Sequence, residues 1–220
     1  MAPKPPQPEP ERPPPRLYLV TPPVKDTAAF ARELESALGA ADVAAVLLRL
    51  ADGGESELVA RIKLLEAVTA PAGVALLLDG NLDLVGRSGA DGAHLTGIHA
   101  VEDAIERLKP ERIVGAGGMT TRHDAMLAAE AGADYVWFGE PDLTGERPSL
   151  SAVEERVSWW SEVFELPCVG YATSLEETAA LATAGADFVA VADFIWSDPR
   201  GAAAAVAEAA ERLKLPETAK

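Results

Sequence analysis

Several side chains that can bind ions follow short apolar segments of the chain. Arg49 and Asp79 come directly after such segments, and Arg147 lies in a polar stretch that follows another. An arginine guanidinium binds phosphate or carboxylate through parallel N–H groups, whereas an aspartate either neutralises an arginine or helps to bind a metal ion. Gly115 and Gly117 permit the close backbone approach that a bound anion needs. These residue types predict a small-molecule site, provided that the fold brings them together.

The elements that would position these residues are leucine-rich or β-branched segments alternating with alanine-rich helical patterns. This alternation is typical of parallel strands joined by crossover helices. The predicted strands are residues 17–20, 43–48, 74–78, 92–95, 112–115, 135–138, 168–170 and 188–191. Eight such units in about 200 residues favour a closed (β/α)8 TIM barrel. A doubly wound open sheet uses the same units, but residues 21–24 (TPPV) lack the glycine fingerprint of its dinucleotide-binding turn.

In a barrel of this kind the loops after the strands meet at one mouth, where functional side chains gather. The residues expected at this mouth are Thr21, Arg49, Asp52, Asp79, Thr96, His99, Gly117, Gly118, Met119, Glu140, Asp142, Thr144, Arg147, Tyr171, Thr173 and Asp193. An ion pair of Arg49 with Asp79 or another acid at the mouth is an equal alternative to substrate binding by Arg49. His94 lies on a predicted strand in an apolar context, which favours a hydrogen-bonded core histidine over a ligand.

One phrase, Gly-Ala-Asp, precedes three of the predicted strands, at residues 89–91, 132–134 and 185–187. Each glycine is placed to end a helix. Each aspartate is placed to accept hydrogen bonds from backbone N–H groups at the opposite end of the barrel, the end that serves stability. We therefore predict a structural role for these aspartates.

Composition limits the partners and the location. The formal net charge is −16, which disfavours nucleic acid and anionic membranes. Cys168 is the only cysteine, so there is no intramolecular disulfide or cysteine cluster, and a reducing compartment fits best. No apolar stretch reaches the length of a membrane span, and the first residues lack the pattern of a signal peptide. We expect a cytoplasmic protein with a small-molecule ligand.

The proline-rich residues 1–15 predict a disordered or semi-rigid tail, and residues 16–220 a single barrel domain. A proline-rich ligand for a partner domain is the alternative for the tail. Trp159 and Trp160 lie on the sixth predicted helix, where they pack on the outer core or form a homodimer contact. Trp196 covers the barrel or a partner.

Five phrases, in this order and spacing, resemble the thiamine phosphate synthase family and its thiazole tautomerase relatives. They are residues 17–21 (LYLVT), 90–95 (ADGAHL), 113–115 (IVG), 132–136 (GADYV) with Gly139, and 188–191 (FVAV). The resemblance extends from Arg16 to about Leu213. It implies a TIM barrel that joins a pyrimidine carried as a pyrophosphate ester to a thiazole phosphate, with Mg²⁺-assisted loss of pyrophosphate. A cofactor is expected only if this activity is retained.

The resemblance also implies roles for individual residues. Arg49 and Arg147 fall on the catalytic positions, Arg147 in place of a lysine that meets pyrophosphate, and Asp79, the one candidate metal ligand, is displaced by one position from the family's aspartate. The phosphate-binding positions correspond to Gly115, Gly117, Thr144, Gly170, Tyr171 and Asp193.

The sequence departs from the family's pattern at several of these positions. Ala51 replaces a lysine after Arg49, and the second metal carboxylate falls on His99. Tyr171 stands in a Gly-Gly turn, and Asp193 would lie beside the phosphate. A carboxylate about 4 Å from a phosphate charge costs about 4 kcal/mol at an effective dielectric near 20. We therefore predict a divergent member whose transferase activity is impaired. A different small-molecule enzyme and a non-catalytic binding barrel are the alternatives.

Overall fold

The computed structural model describes residues 13–142 and 144–214, in which each strand is followed by a helix and the last strand by two helices. The strands are β1 (Arg16–Val20), β2 (Val43–Leu48), β3 (Ala75–Asp79), β4 (Gly92–Thr96), β5 (Ile113–Gly117), β6 (Tyr135–Phe138), β7 (Cys168–Ala172) and β8 (Phe188–Val191). The helices are α1 (Thr27–Leu38), α2 (Glu55–Thr69), α3 (Leu82–Ser88), α4 (Ile98–Leu108), α5 (Arg122–Ala131), α6 (Leu150–Val163), α7 (Leu175–Thr183), α8 (Asp193–Trp196) and α9 (Ala202–Arg212). A 3-10 turn follows α2.

The strands form one closed barrel in chain order, with β1 hydrogen-bonded to β8. Every neighbouring pair is parallel, so the predicted TIM barrel is confirmed. Four strands continue beyond the predicted ends: β3 includes Asp79, β4 includes Thr96, and β5 and β7 are each extended by two residues. β5 includes Gly117, which is paired with Thr96, and β7 includes Tyr171 and Ala172, which are paired with β8. Gly117 and Tyr171 are therefore strand residues and not loop residues.

Side chains alternate between two cores because successive residues of a strand point to opposite faces. Leu17 and Leu19 of β1 pack outward against the helices, whereas Tyr18 and Val20 point into the barrel. β6 follows the same rule, with Tyr135 and Trp137 inside. The inner core is rich in aromatic residues, which include Tyr18, Tyr135, Trp137 and Tyr171. The hydroxyl groups of Tyr18 and Tyr135 and the indole N–H of Trp137 are therefore buried inside the barrel.

Carboxylates bind the strand starts at the amino end of the barrel. Asp91, Asp134 and Asp187 accept the backbone N–H groups of Leu76, Val114 and Cys168 at 2.8, 2.7 and 2.8 Å. We call these three the amino-end carboxylates. Each joins the start of one strand to the residue preceding the next strand. The predicted structural role of the three aspartates is confirmed.

The turns that carry these carboxylates depend on the preceding glycines. Gly89, Gly132 and Gly185 have φ angles of 88°, 107° and 99°, a region that other residues rarely adopt. A related contact joins β1 to β2, where the Arg16 guanidinium donates to Asp42 at 2.8 and 2.6 Å. The guanidinium of Arg16 lowers the pKa of Asp42.

The tryptophans pack within the fold. Trp160 is fully buried against Phe138 and Phe164, and Trp159 stacks near the Arg122 guanidinium. The Trp196 indole donates to the carbonyl of Val20 at 2.6 Å, so it covers one side of the barrel. No helix in the described part of the chain is both long and apolar enough to cross a membrane. Residues 1–12 of the predicted tail lie outside the described residues.

Candidate active site at the carboxyl end of the barrel

A cavity of about 590 Å³ opens at the carboxyl ends of the strands, and we call it the mouth cavity. Its lining includes Arg49, Asp79 and Arg147, the three predicted catalytic residues. The structure therefore brings these three side chains to one place. His94, Trp137, Glu140, Glu146 and Arg156 line the same cavity.

Arg49 is paired with an acid in this cavity. Its Nε donates to Oδ2 of Asp79 at 3.1 Å, and its backbone N–H donates to the Thr21 hydroxyl at 2.9 Å. About a third of each charged side chain is exposed, 31% for Arg49 and 35% for Asp79. Arg49 therefore forms the ion pair that the sequence analysis gave as an alternative to substrate binding.

The guanidinium of Arg147 forms more hydrogen bonds within the protein than that of Arg49. It donates to Glu177 Oε2 at 2.8 Å, to the Thr173 hydroxyl at 2.9 Å and to the Tyr171 carbonyl at 3.2 Å. Burial alone would raise the pKa of Glu177, but the bonds from Arg147 and from Thr173 hold it below its usual value. The positive charge of Arg147 is therefore largely compensated within the protein.

The glycine turn after β5 is occupied by another carboxylate. The backbone N–H of Gly118, where φ is 69°, donates to Oε1 of Glu140. A Cβ atom at Gly117 would lie 2.3 Å from His94 Nε2 and 2.5 Å from the same Glu140 oxygen. A larger residue at 117 would have to displace these two side chains, which fill the space beside it. The amide that could bind an anion is already bound to Glu140.

A chain of hydrogen bonds runs below the cavity. The Tyr18 and Tyr135 hydroxyls are 3.0 Å apart, and the Tyr135 hydroxyl is 3.1 Å from Nδ1 of His94. Nε2 of His94 lies 3.7 Å from Oε2 of Glu140. Burial raises the pKa of both tyrosines, so they remain protonated at physiological pH. His94 is buried and hydrogen-bonded, as predicted, and its ring also lines the cavity.

Four of the predicted phosphate-binding residues are not part of the lining of the mouth cavity. Gly115 lies inside β5, where a Cβ atom would be 2.1 Å from the Tyr135 ring. Gly170 faces α7, with Leu181 at 3.2 Å from such an atom. Thr144 is exposed and bonds to Asp142. Asp193 begins α8 and is exposed. The structure does not gather these four residues into one turn.

Tyr171 lies closer to the charged groups. It is buried in the inner core, and the Arg147 guanidinium lies 5.9 Å from the centre of its ring. Burial raises the pKa of Tyr171, and the Asp193 carboxylate adds to this, whereas Arg49 opposes it. Tyr171 therefore interacts electrostatically with both Arg49 and Arg147.

Magnesium does not fit the side chains that the structure provides. Among residues 13–142 and 144–214, no three His, Cys, Asp or Glu side chains are grouped to hold a metal ion. Asp79 is paired with Arg49. His99, at the position expected for the second carboxylate, lies on α4 with its side chain 97% exposed. Mg²⁺ prefers several oxygen ligands in octahedral geometry.

The sequence predicts no site role for Trp137, Tyr135 or Tyr18. The alternation of β6 was the available signal, because Tyr135 and Trp137 are two residues apart and must share the inner face. Glu140 was expected at the mouth, but its bond to Gly118 is a contact between two loops. No periodicity predicts such a contact.

Comparisons with known proteins agree with this architecture. The family model described as thiamine monophosphate synthase matches residues 17–195. A thiamine-phosphate synthase from Rhodospirillum centenum is 44% identical over 201 residues, which are 88% of this chain and 95% of the relative. One from Hyphomonas neptunium is 42% identical and covers 89% of this chain and 92% of its own.

Solved structures show the same fold. The thiamine phosphate pyrophosphorylase from Pyrococcus furiosus superposes with a TM-score of 0.76 at 21% identity, over 90% of this chain and 95% of that one. A 3-hexulose-6-phosphate synthase superposes with a TM-score of 0.69 at 16% identity, over 90% of this chain and all of that one. At these identities the likeness concerns the fold alone.

Proposed function

Because the chain belongs to the thiamine monophosphate synthase family, we propose that its mouth cavity binds a small ring-containing substrate of thiamine biosynthesis and performs the family's transfer reaction only slowly. That reaction joins a pyrimidine to a thiazole phosphate and releases pyrophosphate. Membership supports the class of substrate. The geometry of the cavity supports the low rate.

One observation carries the proposal. Three groups that could bind a diphosphate are each bound to a carboxylate of the protein: Arg49 to Asp79, Arg147 to Glu177, and the Gly118 N–H to Glu140. A leaving diphosphate needs cations and N–H donors directed at its developing charge. Here the donors are already neutralised, so a diphosphate must compete with three internal acids. Removing a single preorganised donor typically costs about 10²–10³ in kcat.

The chain's own residues can still bind and orient a ring. The rings of Trp137 and His94, which contact each other at a centroid distance of 4.7 Å, line the cavity together with Leu47 and Met119. The volume of about 590 Å³ is within the range of small-molecule sites. Arg49, Asp79 and Arg147 are the residues that we propose contact the substrate. Mg²⁺ has no assigned ligand set in this proposal.

The test is pyrophosphate release from the pyrimidine diphosphate and the thiazole phosphate with Mg²⁺, with the Rhodospirillum centenum protein assayed in parallel. We expect turnover at least about 100-fold lower than in the relative, as the loss of one preorganised donor would give. Arg49→Ala should reduce it further. A turnover equal to that of the relative would disprove the low rate, and an Arg49→Ala variant with unchanged binding and turnover would disprove the assignment of the site.

A second candidate is an enzyme for a less phosphorylated substrate on the same scaffold. The number of acids at the mouth favours it, since Asp79, Glu140, Asp142 and Glu146 all line the cavity. Isothermal titration separates the two candidates. Binding of thiazole phosphate in the micromolar range supports the family reaction, whereas binding of the unphosphorylated thiazole alone supports the second candidate.

We also propose a cytoplasmic location and a homodimer as the assembly to test. The net charge of −16 and the single, buried Cys168 fit a reducing compartment without membrane contact. Trp159 is partly buried beside Arg122 on the outer surface of the barrel. Sedimentation velocity of the full chain would distinguish a homodimer from a monomer.

A further inference from the structure

We propose that Glu140 is an internal competitor for anionic ligands: its carboxylate occupies the place at the Gly118 amide that a phosphate group would take. Glu140 thereby lowers the affinity of the mouth cavity for phosphate groups. The inference deepens the proposed function, because it assigns part of the weak diphosphate binding to one residue.

The backbone is constrained on both sides of Glu140, whose side chain reaches the Gly118 amide. Glu140 follows the end of β6 at Phe138 and the turn residue Gly139, whose φ of 95° is in the left-handed region. A Cβ atom at Gly139 would also lie 2.9 Å from the Val153 side chain, so this turn requires glycine. Pro141 follows and restricts the backbone on the other side. The backbone position from which the Glu140 side chain extends is therefore fixed by its two neighbours.

The Gly118 turn has the features of an anion site. The positive φ of Gly118 and the N–H directed at a carboxylate oxygen resemble the backbone arrangement that binds phosphate in other proteins. Arg156 of α6 donates to the Met119 carbonyl at 3.5 Å, which places a guanidinium one residue from the turn. An anion at this position would have both an N–H donor and a nearby cation.

The bound carboxylate is only half satisfied, so it can be displaced. Oε1 accepts the Gly118 N–H, but Oε2 is buried and has no hydrogen-bond partner. Nε2 of His94 lies 3.7 Å from this oxygen, beyond hydrogen-bond distance. A carboxylate oxygen without a donor loses hydration without compensation. Moving Glu140 into solvent would restore that hydration and free the Gly118 amide.

The test measures binding of inorganic phosphate and inorganic pyrophosphate, without Mg²⁺, by isothermal titration. In Glu140→Ala, which removes the competitor, we expect both anions to bind at least about tenfold more tightly, since one hydrogen bond to a charged group is typically enough for about a tenfold change in affinity. Glu140→Gln keeps the size of the side chain and an oxygen for Gly118, and it should give a smaller gain. This second variant also keeps the test valid if the alanine variant does not fold.

The matched control is Glu146→Gln, which removes one negative charge from the same cavity without touching the Gly118 turn. We expect this variant to bind phosphate within about threefold of the wild-type protein, because an exposed charge is screened by solvent. An equal gain in Glu146→Gln and Glu140→Ala would overturn the proposal, since general charge would then explain both. Unchanged affinity in both Glu140 variants would also overturn it.

A second measurement locates the anion. The Gly118 amide resonance should move on phosphate addition in Glu140→Ala, and the double variant Glu140→Ala with Arg156→Gln should lose most of the gain in affinity. A gain in affinity without a shift of the Gly118 resonance would place the anion elsewhere and overturn the proposal. These results do not depend on turnover, so a chain that proves to be an active synthase would refute the proposed low rate and leave this test decisive.

Discussion

Carboxylates hold both ends of the barrel, but their partners differ. At the amino end, Asp91 and its two counterparts accept main-chain N–H groups of neighbouring strands. At the carboxyl end, Asp79 and Glu177 bind the guanidinium groups that could hold a substrate. The first kind of contact stabilises the barrel whether or not a ligand is present. The second kind competes with the ligand, so the same chemical group supports the fold at one end and limits binding at the other.

The largest effect should come from a close backbone approach near the amino end. A Cβ atom at Gly92 would lie 2.0 Å from the carbonyl oxygen of Ile113 on the adjacent strand. Because backbone cannot move aside, Gly92→Ala should destabilise the protein by about 3 kcal/mol or more, measured by urea unfolding. Gly117→Ala is the matched change at the mouth, where the added atom meets the side chains of His94 and Glu140. We expect a smaller loss of stability for Gly117→Ala than for Gly92→Ala. Equal losses in the two variants would contradict the difference between the two ends of the barrel.

The amino-end carboxylates should affect stability and not binding. Asp91→Ala removes the acceptor at 2.8 Å from the Leu76 N–H, which should cost about 2 kcal/mol. The affinity of the folded protein for pyrophosphate should not change. Asp91→Asn keeps an oxygen acceptor and serves as the control, with a smaller loss in the same unfolding experiment. A change in anion affinity in Asp91→Ala would show that the two ends are coupled.

The chain pattern predicts the amino end well and the mouth poorly, for a physical reason. The amino end repeats one local phrase, Gly-Ala-Asp, whose glycine and aspartate act on the nearest strand. The strand positions followed from apolar periodicity in the same way. Arg147, in the loop after β6, is paired with Glu177 of α7, a contact that depends on the conformation of that loop. Local patterns carry no information on such pairs, so the residues at the mouth were predicted but their partners mostly were not.

At the mouth, the ion pair of Arg147 should make stability depend on pH. The pKa of Glu177 is lowered below its usual 4.5 in the folded protein. The stabilisation is therefore complete above about pH 4.5 and is lost as the pH falls through the lower, folded-state pKa. Glu177→Gln should cost about 1 kcal/mol at pH 7. Its difference from the wild-type protein should shrink with acidification, and a constant difference at all pH values would contradict the assigned pair.

The smallest effect is expected at the position that resembles a metal ligand. The His99 side chain is 97% exposed and lies 3.4 Å from Glu102 on the same helix. His99→Ala should change the free energy of unfolding by less than about 0.5 kcal/mol. Mg²⁺ titration followed by calorimetry should be identical for the two proteins. A weaker response to Mg²⁺ in the variant would mean that a metal does reach this part of the mouth.

The carboxylate contacts at the amino end group the strands two by two. Asp91 joins β3 to the start of β4, Asp134 joins β5 to β6, and Asp187 joins β7 to β8, while Asp42 with Arg16 joins β1 to β2. The barrel is thus built as four quarter-barrel modules, each closed by its own acid. In a circularly permuted chain opened between two modules, each acid stays close in sequence to the strand that it binds, whereas opening a chain within a module places an acid and its strand at opposite ends of the sequence.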